Sequence, residues 1–194
     1  MDKFETAYSF TARWEGGLTD DAMDAGGITN FGVSFEFLKD CANLDSVKLL
    51  CLGIKTPVTR KTIVDLRQDQ ARDLFRWRFW EVPGYERYAL TLAVTMFDCS
   101  VNHGVSRAIK LAQKAFNSLG VGSALVVDGI QGPLTKAALE SVDALELAKA
   151  IVSERKAFYQ GIVASKPSQK CFLKGWMNRA NALDQYIDEL EGVE

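Results

Sequence analysis

The chain has little of what usually marks a metal, redox or nucleic-acid protein. It holds one histidine, His103, and four cysteines, Cys41, Cys51, Cys99 and Cys171, none of them in a CxxC pair. A structural zinc takes about four clustered Cys or His ligands. No metal site is therefore expected, and no cofactor is implied. Cysteines scattered in apolar surroundings, such as Cys51 in KLLCLGI and Cys99 in MFDCSV, read as buried free thiols. Cys99 and His103 stand four apart on one predicted helix, an arrangement that seldom makes a nucleophile–base pair. Basic residues are not in excess: 23 against 25 acidic ones leave a net charge of −2. That balance argues against nucleic acid or an anionic membrane as partner. No stretch approaches the roughly 18 apolar residues of a membrane span. The opening MDKFETAYSFTARWEGG carries early acids and lacks the apolar run of a signal peptide.

What is present is enough for a large core. The chain has 194 residues, of which 47% are apolar, sufficient for one large domain or two small ones. Most apolar spacing is helical. Phe4, Ala7, Tyr8, Phe10, Thr11 and Trp14 make a stripe over residues 2–15, and Gly16-Gly17 offer a stop. Residues 18–33 lose the helical period and carry turn residues, which predicts a small β-hairpin. Ser34 caps a helix to about residue 42, and a short one follows over 45–52. Further helices are predicted over 59–66, 68–80, 86–103, 106–117, 133–139, 143–164 and 169–190. The segment 86–103 is apolar on one broad side, which suits a central helix. The reading is a mainly α chain with a hairpin in its N-terminal half and a helical C-terminal half. A boundary near 85–90 divides it into regions 1–88 and 89–194.

The densest chemistry lies in WEGGLTDDAMDAGGITNFGV, residues 14–33. Glycoside hydrolysis needs one carboxylic acid that stays protonated and usually a second carboxylate across a cleft. Glu15, placed by the spacing at a helix end, meets the negative end of the helix dipole, which disfavours its ionisation. A hairpin folding back over that end would bring Asp21, Asp24 or Thr29 across from it. Glycines allow the turn and a close approach of backbone to sugar. On composition alone the same acids are ordinary turn residues.

The pattern E-G-G-x3-D-x2-D-x-G-G-x-T-x2-G-V resembles the N-terminal signature of glycoside hydrolase family 108, the phage and prophage N-acetylmuramidases. Glu15, Gly16, Gly17, Asp21, Asp24, Gly26, Gly27, Thr29, Gly32 and Val33 match as they stand, while Ala22 replaces a common proline. Downstream, FRWRFWEV, MFDCSVNHG and FLKGWMNR are similar to further segments of that family. VVDGIQGPLT is similar to the D-G-x-x-G-P-x-T signature of peptidoglycan-binding domains. The resemblance implies a lysozyme-like helical fold with a peptidoglycan-binding region behind it. It implies cleavage of the β-1,4 bond between N-acetylmuramic acid and N-acetylglucosamine. Glu15 matches the family's catalytic glutamate; the glutamate-to-aspartate step of nine also resembles the bacteriophage lysozymes, which makes Asp24 the expected second carboxylate, and Asp21 and Thr29 of the same stretch are the expected substrate contacts.

Asp98, Asn102 and His103 near the end of the central helix either line the sugar cleft or buttress a neighbouring element. Of Phe75, Trp77, Phe79, Trp80 and Tyr85, most are expected inside and at most one on a cleft. Trp176, Asn178 and Arg179 either touch the wall or close the C-terminal core. VDGIQGPLT suits a turn into a helix without any ligand. The expected protein is a monomeric endolysin. It would be made in the cytoplasm, released through a holin-type pore and active on the peptidoglycan of the wall. The alternatives are a lytic transglycosylase giving 1,6-anhydro ends, and a non-catalytic peptidoglycan-binding or secretion-activating protein.

Overall fold

Helix α1 spans Lys3–Thr11, about one turn shorter than the stripe suggests, because its buried face ends with Phe10 and Thr11. Trp14 is 38% exposed and gives the next turn nothing to bury. The structure is a computed structural model, and it describes residues 2–16 and 28–192. Asp21, Asp24, Gly17, Gly26 and Gly27 lie outside the described residues.

The chain divides into two compact units, Thr11–Val82 and a larger one of Met1–Phe10 with Pro83–Glu194. In the smaller unit, strands β1 (Thr29–Asn30) and β2 (Val33–Ser34) form an antiparallel hairpin pairing Thr29 with Ser34 and Asn30 with Val33. The two loop residues both have positive φ, Phe31 at 49° and Gly32 at 77°. That is the primed turn whose twist suits paired strands. Buried Asn30 ties the hairpin down, donating from Nδ2 to the carbonyls of Ile63 (3.0 Å) and Leu66 (3.3 Å). Ser34 then caps α2 (Phe35–Cys51) by accepting from the Phe37 N–H at 3.1 Å. The predicted break near residue 45 appears as a kink inside α2. Asp45 leaves helical geometry and its carboxylate accepts from Lys48 N–H at 2.9 Å.

Thr59 opens α3 (Arg60–Val64) with a reciprocal capping pair to Thr62. Helix α4 (Gln68–Phe75) runs into a π-wound turn over Arg76–Glu81, closed by Val82 N–H to Trp77 O at 3.0 Å. The wider winding lets Trp77, Phe79 and Trp80 all turn inward. Phe75, Phe79 and Phe37 form one cluster, with Phe37 stacked on both of the others. All five aromatics from Phe75 to Tyr85 are buried.

The larger unit is built on α5 (Leu90–His103), buried at every position from Thr91 to Ser100. Helices α6 (Val105–Leu119), α8 (Ala144–Ser165) and α9 (Lys170–Glu191) pack against it and α8 against both others. Helix α1 is held to this unit through Phe4 on Phe97 and Phe10 stacked on Tyr186. Between α6 and α7 (Pro133–Glu140), the VDGIQGPLT loop clasps buried Gln113. Gln113 Nε2 donates to Asp128 Oδ1 at 2.8 Å, and its Oε1 accepts from Gly129 N–H at 2.9 Å. A methyl at Gly129 would lie 2.5 Å from Ser106 Oγ. The loop's signature therefore has an architectural reason in this chain. The fold is thus mainly helical, with a small N-terminal hairpin and a helical C-terminal half. All four cysteines are free, but only Cys41 and Cys99 are buried. Cys51, expected inside, is exposed because the last turn of α2 faces it outward.

Candidate active site

Glu15 does not sit on the last turn of α1, as the spacing suggests. The helix ends at Thr11, a turn closes with Trp14 N–H to Thr11 O at 2.9 Å, and Glu15 follows in a half-buried bend. Glu15 thus lies four residues beyond the last residue of α1, where the helix dipole, which fades within a turn, has little hold on it. What faces Glu15 is the hairpin. A methyl group at Gly32 would lie 2.7 Å from Glu15 Oε2 and 2.9 Å from its Cβ. The carboxylate therefore packs against bare backbone at the hairpin turn. Half-buried Thr29 lies on the same hairpin, opposite Ser34. A separate cavity of about 460 Å³ in this unit, lined in part by Lys55, Thr59, Asp65 and Arg67, includes neither Glu15 nor Thr29.

Asp98, Asn102 and His103 belong to a different assembly. Asp98 is fully buried and clasped by two guanidinium groups: Arg155 Nη1 reaches Oδ2 at 2.6 Å and Arg179 Nη2 reaches Oδ1 at 2.7 Å. Burial opposes its ionisation, but the two positive charges outweigh that and hold its pKa near 2. Its side chain has no exposed surface to offer a sugar. Arg155 also donates to Asn102 Oδ1 at 3.2 Å and to the Tyr159 hydroxyl at 2.8 Å, and Tyr159 donates to the same Asn102 oxygen at 2.9 Å. Asn102 itself is exposed. His103 packs edge-on against Phe158 and against Tyr159, with its buried Nε2 unpartnered among the described residues. Burial, with the charge of Arg155, lowers its pKa to about 3, so the ring is neutral at physiological pH.

The family described as Glycosyl hydrolase 108 matches residues 8–104, half of the chain. The chain belongs to glycosyl hydrolase family 108. The remainder of this family 108 chain is also matched, residues 107–181 by the family described as Predicted Peptidoglycan domain. The whole fold is similar to a solved structure of Brucella abortus SagA, at 22% identity and a TM-score of 0.75. The likeness covers 95% of this chain and 92% of that one. Curated proteins give no match. The expected boundary at 88/89 stands beside a contact division at Val82/Pro83 and family limits at 104 and 107.

Two groups in this family 108 chain escaped the sequence reading. Arg155 stands on α8 among buried Leu147, Ala148, Ile151, Val152 and Tyr159. A charge on an apolar stripe needs a partner, and so does an acid inside MFDCSV; that was the available signal. Asn30 likewise sits at a strand end where its polarity alone did not disclose the bonds to α3. Arg179 of FLKGWMNR is buried on Asp98, whereas Trp176 stacks on Tyr159.

Proposed function

We propose that the chain is an N-acetylmuramidase that hydrolyses the β-1,4 bond between N-acetylmuramic acid and N-acetylglucosamine in peptidoglycan. The observation that carries this is the setting of Glu15. In a glycosyl hydrolase 108 domain joined to a matched peptidoglycan domain, its carboxylate packs against a glycine of the hairpin turn. Glu15 acts as general acid, giving its proton to the leaving glycosidic oxygen as the bond to the anomeric carbon breaks. Asp24 is the second carboxylate, taking the proton of the attacking water or stabilising the developing cation. Asp21 and Thr29 hold substrate. Asn102 meets the glycan strand on the larger unit, its amide set by Arg155, which Asp98 holds in place, with His103 beside it on α5.

We read the chain as a bacterial wall-processing enzyme, of the kind that opens a path for export, rather than a phage lysin. The likeness over 95% of the chain to a protein of Brucella abortus supports that preference. The enzyme would be made in the cytoplasm, reach the wall by a pore or export partner and act as a monomer; a holin-type pore is needed only in the lysin reading. Wild type and Glu15→Gln, incubated with Gram-negative sacculi, test the chemistry by mass spectrometry of released muropeptides. Reducing N-acetylmuramic ends from wild type alone are expected. Anhydro ends, one water lighter, would make it a transglycosylase. No release, with both proteins still pelleting with sacculi, would leave a binding protein.

A further inference from the structure

We infer that Asn30 is a positioning residue for the reaction: bonded to the end of α3, it fixes the hairpin turn against which the Glu15 carboxylate is packed. The role rests on the reading of Glu15 as general acid; the link from Asn30 to Glu15 rests on geometry inside the smaller unit.

The turn beside Glu15 has little to hold it in place by itself. Its sheet is two residues long on each strand, pairing Thr29 with Ser34 and Asn30 with Val33. A hairpin of that size is marginal at best on its own. Phe31 adds strain, with a φ of 49° that bulky side chains rarely take. Such a conformation persists only where the surroundings over-determine it. Next to Phe31, Gly32 presents the bare backbone on which Glu15 lies, with Oε2 2.7 Å and Cβ 2.9 Å from where a methyl would stand. A small drift of the turn therefore either opens this contact or forces the carboxylate to move.

Buried Ile28 and Val33 hold the hairpin to the unit, but apolar burial is non-directional and does not set its angle. Asn30 does. It is 5% exposed, and its NH2, with two protons to give, meets two carbonyls, Ile63 O at 3.0 Å and Leu66 O at 3.3 Å. One carbonyl lies in the last turn of α3 and the other just past it. Ile63 and Leu66 are themselves buried, so the anchor is part of the core. Two bonds from one planar amide fix direction as well as distance. Asn30 stands immediately before Phe31 and Gly32, so its restraint passes through one strained residue to the backbone that Glu15 touches.

Gln70 provides a matched control. It is 6% exposed, and its Nε2 donates to Leu52 O at 3.2 Å and Gly53 O at 2.7 Å, neither of them in the hairpin. The test compares full-length wild type, Asn30→Ala, Asn30→Ser and Gln70→Ala in initial rates of reducing-end release from solubilised glycan strands. Rates are taken per folded molecule, below the unfolding midpoint of every variant. Asn30→Ala should lower kcat about ten- to hundredfold and change KM less than about threefold, because a displaced Glu15 loses reaction geometry rather than affinity. Asn30→Ser retains one hydroxyl donor; it should fall between, and it carries the comparison if the alanine protein does not fold. Gln70→Ala should lose stability and keep the wild-type kcat. In 15N spectra the Gly32 N–H should shift in the Asn30 variants and stay in place in Gln70→Ala. Wild-type kcat or an unmoved Gly32 peak in a folded Asn30 variant overturns the proposal, as does an equal loss of kcat in Gln70→Ala; each of these leaves Glu15 as the acid. A wild type that releases no reducing ends overturns the muramidase reading, and this role with it.

Discussion

Gly32 meets two demands at once: its φ of 77° suits glycine, and Glu15 Oε2 occupies the space where a Cβ would go. Gly32→Ala should therefore do two separable things. The left-handed backbone costs about 1–2 kcal/mol of stability. The new methyl also displaces the Glu15 carboxylate, and a misplacement near 1 Å can cost on the order of a hundredfold in rate. Muropeptide release and thermal unfolding of the same preparation separate the two effects; a folded Gly32→Ala protein with wild-type turnover would remove Glu15 from the chemistry. Asp98 is the other residue that bears weight, for a structural reason. Asp98→Asn leaves Arg155 and Arg179 buried beside each other without a counter-charge, and breaking such a cluster costs about 3–5 kcal/mol. Urea unfolding reads that loss directly; a change below about 1 kcal/mol would mean that water, rather than Asp98, compensates the arginines.

At the scale of elements, most of the fold was legible because its periodicity is strong. Helices α6, α8 and α9 bury one face each and α5 is buried all round from Thr91 to Ser100, and the apolar spacing marks all four as helices. The hairpin was legible from its loss of helical period. The end of α1 was not, because Trp14 continues the stripe in sequence yet the helix has already ended at Thr11 and leaves Trp14 38% exposed. A stripe records which residues are apolar, not whether a neighbouring element arrives to cover them. The site was legible in the same partial way. The pattern of acids and glycines singled out Glu15 and Gly32, but Asp98 pairs with Arg155 and Arg179 across 57 and 81 residues, so a charge in an apolar stretch signals that it needs a partner without saying which. Helix α8 supplies a prediction at this scale. Gly161 lies inside it with nothing within 4 Å of a Cβ position. Gly161→Ala should stabilise the chain by about 0.5–1 kcal/mol. Denaturant midpoints of the two proteins check it, and a lower midpoint for the alanine would show that the helix needs its glycine for a close approach.

For the whole molecule, the decisive property is how its stability answers acid. His103 is held neutral by burial, with Arg155, Arg179 and Arg107 adding repulsion and Asp98 opposing them, and its pKa falls from 6.5 to about 3. The unfolded chain takes up a proton as pH drops below 6.5, and the folded chain refuses it until near 3. Stability is therefore complete above 6.5 and declines as pH falls through that window, by about 2 kcal/mol between pH 7 and 5. Asp98 acts in the same direction but lower, its contribution persisting above 3.8 and vanishing towards 2. Among the described groups with shifted pKa values, His103 is thus the one that titrates on unfolding between pH 5 and 6.5. Replacing it by phenylalanine keeps an aromatic ring against Phe158 and Tyr159 and removes the titration. Urea unfolding at pH 7 and pH 5 should show wild type losing about 2 kcal/mol over that interval and His103→Phe losing little. Equal slopes for the two proteins would mean that His103 finds a proton acceptor or water in the folded chain, and the acid response would then have to be carried by carboxylates.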